Sequence, residues 1–369
     1  MNKVPLSQPS LTYHEYVAAF RALQSGWLTQ NGPDVKKMQD TLALCLGLQS
    51  GIKSVTSVSN GTTALHLALL ALQVGPGDEV LVCDFSYIAP VNAVLYVGAT
   101  PVVIDCNRQT WNVEPTLLLN AISERTKAII VVDNYGRLAD LSAIKSIIGD
   151  KIKIILDAAE SFSGESSDGR WAIPDICTFS FYANKIFTCG EGGAIAASQN
   201  LVDRINLLKS QWLETPNSFR HGGVGYNYRI TNISAAIFNA QWKRRVSILN
   251  RRREIFEIYQ NLFSAEINSG LIKDNSDASP WLYTVDTGLS QVKRNFVRAK
   301  LQEVEIETRP GFTPISEHMH LFPSVSFQSE CSNSKYLSGS LVSLPTYYRL
   351  TNRQIKRICA RFKEALKSV

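Results

Sequence analysis

Val55-Thr56-Ser57-Val58-Ser59-Asn60-Gly61-Thr62-Thr63-Ala64-Leu65 opens an alternation that runs on to Leu156. A short β-branched run stops at a small-residue turn, and an apolar helical stretch follows at once. The reading gives a strand over 55–58 and a helix over 62–72. Gly75-Pro76-Gly77-Asp78 is a turn, and a strand covers 79–83. The pattern repeats with helices over 90–97, 114–121 and 138–148, and strands over 101–105, 128–132 and 153–156. Strands separated by helices require crossover connections and a mainly parallel sheet. The strands are apolar throughout, as a sheet covered on both faces demands. The fold class is therefore α/β.

Outward from this block the patterning changes. Residues 1–30 are mixed and end in Ser25-Gly26-Trp27-Leu28-Thr29-Gln30-Asn31-Gly32-Pro33, which has loop chemistry. Residues 34–50 are helical in period. Beyond Gly193 come a helix over 201–211, a loop over 214–228 rich in Gly, His and aromatics, and a long helical stretch over 231–263. The remainder mixes short strands and helices, the pattern of a smaller α+β domain. The expected division is a large domain over 1–240 and a small one over 241–369.

The chain has 369 residues, 45% hydrophobic and 19% charged, with a net charge of +6. That balance is ordinary for a folded enzyme and gives no footprint for nucleic acid. Lys243-Arg244-Arg245 and Arg251-Arg252-Arg253 lie at helical spacing and read as a solvated helix face. The seven cysteines include no C-x-x-C pair, which suits buried thiols in a reducing cytoplasm. No basic segment followed by an apolar core marks a signal peptide, and no apolar run reaches membrane length. The five histidines lack ligand spacing, so no metal is expected. The first strand is not followed by G-x-G-x-x-G, which argues against a dinucleotide fold.

Chemistry concentrates at the ends of the strands. Phe179-Ser180-Phe181-Tyr182-Ala183-Asn184-Lys185 is followed by Thr188-Cys189-Gly190-Glu191-Gly192-Gly193. Desolvating a lysine among apolar residues favours the neutral amine, the nucleophilic form. Schiff-base chemistry with pyridoxal phosphate (PLP) is the commonest use of such a lysine, and it needs a phosphate cradle and a carboxylate at the pyridine nitrogen. Ser59-Asn60-Gly61-Thr62-Thr63 offers free backbone N–H groups at a helix start, either as a cradle or as a plain N-cap. Asp157, in Leu156-Asp157-Ala158-Ala159-Glu160-Ser161, ends a buried strand, as a ligand or as a cap. Tyr87, in Asp84-Phe85-Ser86-Tyr87, could stack on a planar ring or fill the core. Ser180 could place a hydroxyl on the phosphate.

These runs, with Gly225-Tyr226-Asn227-Tyr228-Arg229-Ile230-Thr231-Asn232 and Leu344-Pro345, resemble the DegT/DnrJ/EryC1/StrS sugar aminotransferases. The resemblance implies the aspartate-aminotransferase (type I) PLP fold, with residues 1–33 near the active site. It makes Lys185 the Schiff-base lysine and proton shuttle, and Asp157 the partner of the pyridine nitrogen. Tyr87 would stack on the ring, Gly61, Thr62 and Ser180 would hold the phosphate, and Glu160 would lie beside the ring oxygen. Asn227 would reach the phosphate of the neighbouring subunit, implying a homodimer with shared active sites. Trp27, Arg229, Arg309 and His318 would face the substrate or the subunit seam. The implied reaction is ping-pong transfer of an amino group from L-glutamate to a nucleotide-linked keto sugar, alternating the PLP and pyridoxamine (PMP) forms. The runs around Asn227 and Arg309-Pro310 look most like members acting on 4-keto-6-deoxy sugars, of the perosamine-synthase type. Two alternatives stay open: a PLP- or PMP-dependent sugar dehydratase, whose members carry His in place of the lysine, and a non-catalytic PLP-fold regulator. Three departures stand out: Cys83 for a usual Pro, Asp133-Asn134-Tyr135-Gly136 for a His-Leu-Tyr-Gly type run, and Ser316 for a frequent His.

Overall fold

The computed structural model describes residues 3–47, 54–163, 169–215, 219–273, 278–321, 324–328 and 330–369. The ends of two expected elements, 48–50 of the second helical stretch and 216–218 of the Gly-rich loop, lie outside the described residues. Eleven strands are seen among them: β1 (Ser54–Val58), β2 (Glu79–Cys83), β3 (Thr100–Ile104), β4 (Thr126–Val132), β5 (Lys153–Asp157), β6 (Ile176–Ser180), β7 (Gly193–Ala197), β8 (Tyr283–Asp286), β9 (Arg309–Pro310), β10 (Ser326–Phe327) and β11 (Leu341–Leu344).

The large sheet has the order β1-β7-β6-β5-β4-β2-β3-β10. Only β7 runs against its neighbours; the other pairs are parallel. Burial explains the apolar strands: β2 and β7 are buried along their whole length. Leu81, Ile129, Ile154 and Cys177 point into one core layer, and Val80, Ile130, Ile155 and Ile176 into the other. These are the two covered faces that the strand composition anticipates. The small sheet, β8-β11-β9, is antiparallel. It packs with the helices Arg245–Leu262, Gln291–Glu303 and Asn352–Lys367 around a third core that includes Tyr259, Val297, Leu301 and Phe362.

Several elements differ from the sequence reading. Residues 1–30 contain a helix, Tyr13–Gln24, with a Thr12–Glu15 capping box. It is hard to read because Tyr13, Tyr16, Phe20 and Leu23 point outward, 55–76% exposed. The stretch 231–263 is two helices, Asn232–Lys243 and Arg245–Leu262, meeting at Arg244. Strand β10, from within 241–369, pairs with β3 at the edge of the large sheet. Arg252 is buried rather than solvated, and its Nη1 donates to the carbonyls of Pro280 and Trp281.

Chain ends also meet. Val4 N–H donates to the Glu305 carbonyl, and Glu307 and Thr346 donate to the carbonyls of Val4 and Leu6. No described helix is long and apolar enough to cross a membrane. All seven cysteines are free, six of them buried.

Candidate active site

The parallel strands end on one edge of the large sheet, and buried aspartates mark it. Asp84 follows β2, Asp105 follows β3, Asp133 follows β4 and Asp157 ends β5. A buried carboxylate needs donors, and three of the four are amply supplied. Asp84 accepts from the Ser316 N–H and hydroxyl. Asp105 accepts from the Asn333 and Ser334 N–H groups and the Ser334 hydroxyl. Asp133 takes the Arg170 guanidinium, the Ser161 hydroxyl and the Ala139 N–H.

Asp157 is different. Its Oδ1 accepts from the Ala159 N–H at 3.0 Å, and its second oxygen takes no protein hydrogen bond among the described residues. Burial pushes its carboxyl up to about 7, against the pull of the Ala159 N–H and the Lys185 ammonium; Glu160 and Asp133 add to the upward push. That bond closes a turn and caps no helix, since none follows Asp157 among the described residues up to 163, and one oxygen remains for a ligand.

Glu160 sits beside it, 5% exposed. Its Oε2 accepts the Tyr135 N–H at 2.7 Å, and its Oε1 lies 3.4 Å from Lys185 Nζ. Burial raises the Glu160 carboxyl, opposed by Lys185, the Tyr135 N–H and the charge of Arg309. Lys185 lies beyond β6 in a turn closed by its own N–H to the Tyr182 carbonyl. Its ammonium stands 4.2 Å from the centre of the Trp281 ring, within cation–π range. Trp281 is fixed in turn, because its Nε1–H donates to the Asn184 carbonyl at 2.8 Å and its own carbonyl accepts from Arg252.

The helix Gly61–Ala71 begins beside β6. Asn60 caps it in a box with Thr63, so the capping reading holds at this helix. As first-turn residues, Gly61 and Thr62 have N–H groups with no helical acceptor. A Cβ on Gly61 would lie 3.0 Å from Ser180 Cβ and 3.3 Å from its Oγ. Glycine thus keeps the space between the helix start and the Ser180 hydroxyl clear, a donor set suited to an anion. Tyr87 is 59% exposed, so it is not a core residue; its ring lies 6.2 Å from that of Phe312.

The remaining expected residues form a second group. Trp27 is exposed, and its carbonyl accepts from Asn232 Nδ2. Asn227 Oδ1 accepts from Arg229 Nη2 at 2.8 Å. A cavity of about 300 Å³ beside them is lined by Gly32, Gln39, Ser57, Lys209 and Arg229. His318 is half-buried, with its ring against that of the exposed His320. No hydrogen bond, ion pair or ring contact links Trp27, Asn227, Arg229 or His318 to Lys185 among the described residues.

Sequence reasoning missed Trp281, Tyr135 and Lys209. Trp281 lies far along the chain from the lysine, with no local pattern. Lys209 is buried in the helix Gln199–Lys209, donating to the Thr56 hydroxyl and the Ser57 carbonyl. The Asp133–Gly136 departure is structural. Asp133 holds Arg170, and Asn134 Nδ2 donates to the carbonyls of Phe85 and Trp111.

Known proteins resemble this chain over nearly its whole length. A GDP-perosamine synthase of Escherichia coli O157:H7 is 35% identical over 99% of each chain. One from Caulobacter vibrioides is 32% identical over 99% of this chain and 98% of its own. The solved structure of NtdA from Bacillus subtilis, with bound cofactor PMP, is 26% identical and superposes with a TM-score of 0.84, over 97% of this chain and 83% of its own. The description "DegT/DnrJ/EryC1/StrS aminotransferase family" matches residues 10–363, and the chain belongs to that family.

Proposed function

We propose that the protein is a PLP-dependent aminotransferase that moves an amino group from L-glutamate to a nucleotide-linked 4-keto-6-deoxy sugar, giving an amino sugar. The observation that carries this reading is Asp157: alone among the four buried aspartates at the ends of the large sheet's parallel strands it keeps an oxygen without a protein donor among the described residues, in electrostatic reach of Lys185. The names of the perosamine synthases support the substrate class.

When bound, PLP supplies an electron sink for a breaking C–H bond. Asp157 would hold a proton on the pyridine nitrogen by ion pairing. Gly61, Thr62 and Ser180 would cradle the phosphate, Tyr87 would cover the ring, and Glu160 would steer Lys185. The Lys185 amine would take the proton from the donor carbon in the first half-reaction. In the second it would return a proton to the sugar carbon. Lysine at 185 favours this over the dehydratase reading, whose members carry His there.

Arg309 is exposed beside Glu160 and suits the charge of a nucleotide diphosphate; Trp27, Arg229 and His318 complete the substrate side in this reading. The outward stripe Tyr13, Tyr16, Phe20 and Leu23 supports a homodimer. Asn227 would then serve the neighbour's phosphate. The free cysteines fit a cytoplasmic enzyme.

The test is the visible spectrum of the PLP-loaded protein before and after L-glutamate, with Lys185→Ala alongside. The cofactor band is expected to shift with glutamate in the wild type and not in the variant. GDP-linked 4-keto-6-deoxy sugar should then restore the original band. No cofactor band after added PLP sinks the reading.

A further inference from the structure

Tyr135 sits in the left-handed region, at φ 55°, and Gly136 follows at φ 80°. For a bulky non-glycine residue this conformation is strained and persists only where its surroundings hold it. The surroundings here are four aromatic rings and two polar contacts. The Tyr135 ring, 1% exposed, packs against Phe85 at 6.0 Å, Trp111 at 5.7 Å, Trp281 at 6.1 Å and Phe312 at 4.7 Å. Its N–H donates to Glu160, and its hydroxyl accepts the Phe312 N–H at 3.0 Å. Gly136 has no room for a side chain, since a Cβ would meet the Ser279 carbonyl oxygen at 2.6 Å.

The contacts to Glu160, Trp281 and Phe312 lead to two parts of the site. Glu160 faces Lys185 Nζ, and so does the Trp281 ring. Phe312 belongs to the segment 309–316, which leaves the small sheet at β9 and carries Arg309. That segment is fastened again where Ile315 and Ser316 donate to Asp84, at the end of β2. Between these two fastenings, the Tyr135 hydroxyl is the polar tie to the large sheet.

The geometry points to Tyr135 as a positioning residue that couples the segment 309–316 to Glu160 and Lys185. The backbone N–H sets the carboxylate and the hydroxyl sets the segment, so the left-handed turn gives one residue two directions of reach. The hydroxyl therefore acts on the acceptor sugar, while the N–H and ring act on the lysine. This division between half-reactions rests on the function proposed above; the coupling itself does not.

Two measurements test it separately. Backbone amide hydrogen exchange on the holoenzyme reads the tie without any substrate. Tyr135→Phe keeps the ring and removes the acceptor, so the Phe312 amide should exchange roughly three- to tenfold faster, the effect of one lost hydrogen bond. Phe312→Leu keeps the N–H bond and alters the ring contact, and should leave that amide protected. Equal exchange in Tyr135→Phe and wild type overturns the proposal whatever the reaction proves to be. Half-reaction kinetics then read the division. Tyr135→Phe should raise KM for the keto sugar several-fold and leave the glutamate-driven spectral change within twofold. Tyr135→Leu, which also loses ring support for Trp281, should slow both. A Tyr135→Phe variant impaired equally in both halves, or in neither, overturns the assignment of the hydroxyl to the sugar step. If the wild type shows no glutamate-driven change, the functional reading fails while the exchange result still decides the tie.

Discussion

Glu160 and Arg229 stand in opposite situations. Around Glu160 the chain supplies every partner itself: the Tyr135 N–H, the Lys185 ammonium and the charge of Arg309. Around Arg229 it does not. The Arg229 Nε is buried without a partner, and the neighbouring Lys209 ammonium is buried among neutral acceptors. Burial, with the charge of Arg229 adding to it, pushes Lys209 down to about 8. Among the described residues no carboxylate lines the cavity between them. Among the described residues, the charges of one region are matched within the chain and those of the other are not. The proposed homodimer accounts for the contrast, because a second copy would bring its phosphate and its charges to this face.

The largest effect should come from the matched region. Lys185→Ala is expected to abolish turnover by at least about a thousandfold, since it removes both the nucleophile and the proton carrier. Steady-state transamination checks this. The contrast itself is tested by mixing Lys185→Ala with Asn227→Ala after co-refolding. If Asn227 serves the neighbour's site, one site in each mixed dimer is intact, and about a quarter of wild-type activity returns for random pairing in a two-fold dimer. No recovery would mean that both residues act within one chain.

A smaller effect is expected at Gly61. Gly61→Ala puts a methyl group 3.0 Å from Ser180 Cβ, so PLP affinity should fall by roughly tenfold, a loss of ~1.4 kcal/mol. Fluorescence titration of the apo protein reads it. The remaining effect concerns pH. Folding raises the Asp157 carboxyl from 3.8 to about 7, so the folded chain keeps a proton that the unfolded chain has lost within that window. Stability of the apo protein should therefore fall as pH rises from about 4 to 7, by up to a few kcal/mol from this group. Asp157→Asn should flatten that part of the profile while crippling transamination. Thermal melts of the apo forms across this range decide it.

Much of the matched region is legible in the sequence because its residues end strands. Asp157, Ser180 and Gly61 announce themselves through local patterning, and Lys185 through its apolar turn. The alternation likewise gives the parallel sheet. Other features depend on long-range packing. Trp281 reaches Lys185 from nearly a hundred residues away, across the join between the two sheets. Arg252 is buried because two carbonyls receive it, which no helical periodicity reveals. The helix Tyr13–Gln24 inverts the usual rule by turning its aromatics outward, so an apolar stripe there looks like an irregular loop.

The tie between the chain ends has a consequence for biosynthesis. The backbones of Val4 and Leu6 hydrogen-bond to Glu305, Glu307 and Thr346 among the described residues. Translation at about 5–20 residues per second separates Leu6 from Thr346 by roughly 20–70 seconds. The backbone of this segment must therefore wait for its partners until residues 305–346 have been made, although Leu6 packs in the large domain's core. Synthesis of residues 305–346, rather than emergence of the large sheet, sets the moment at which these backbone bonds can form.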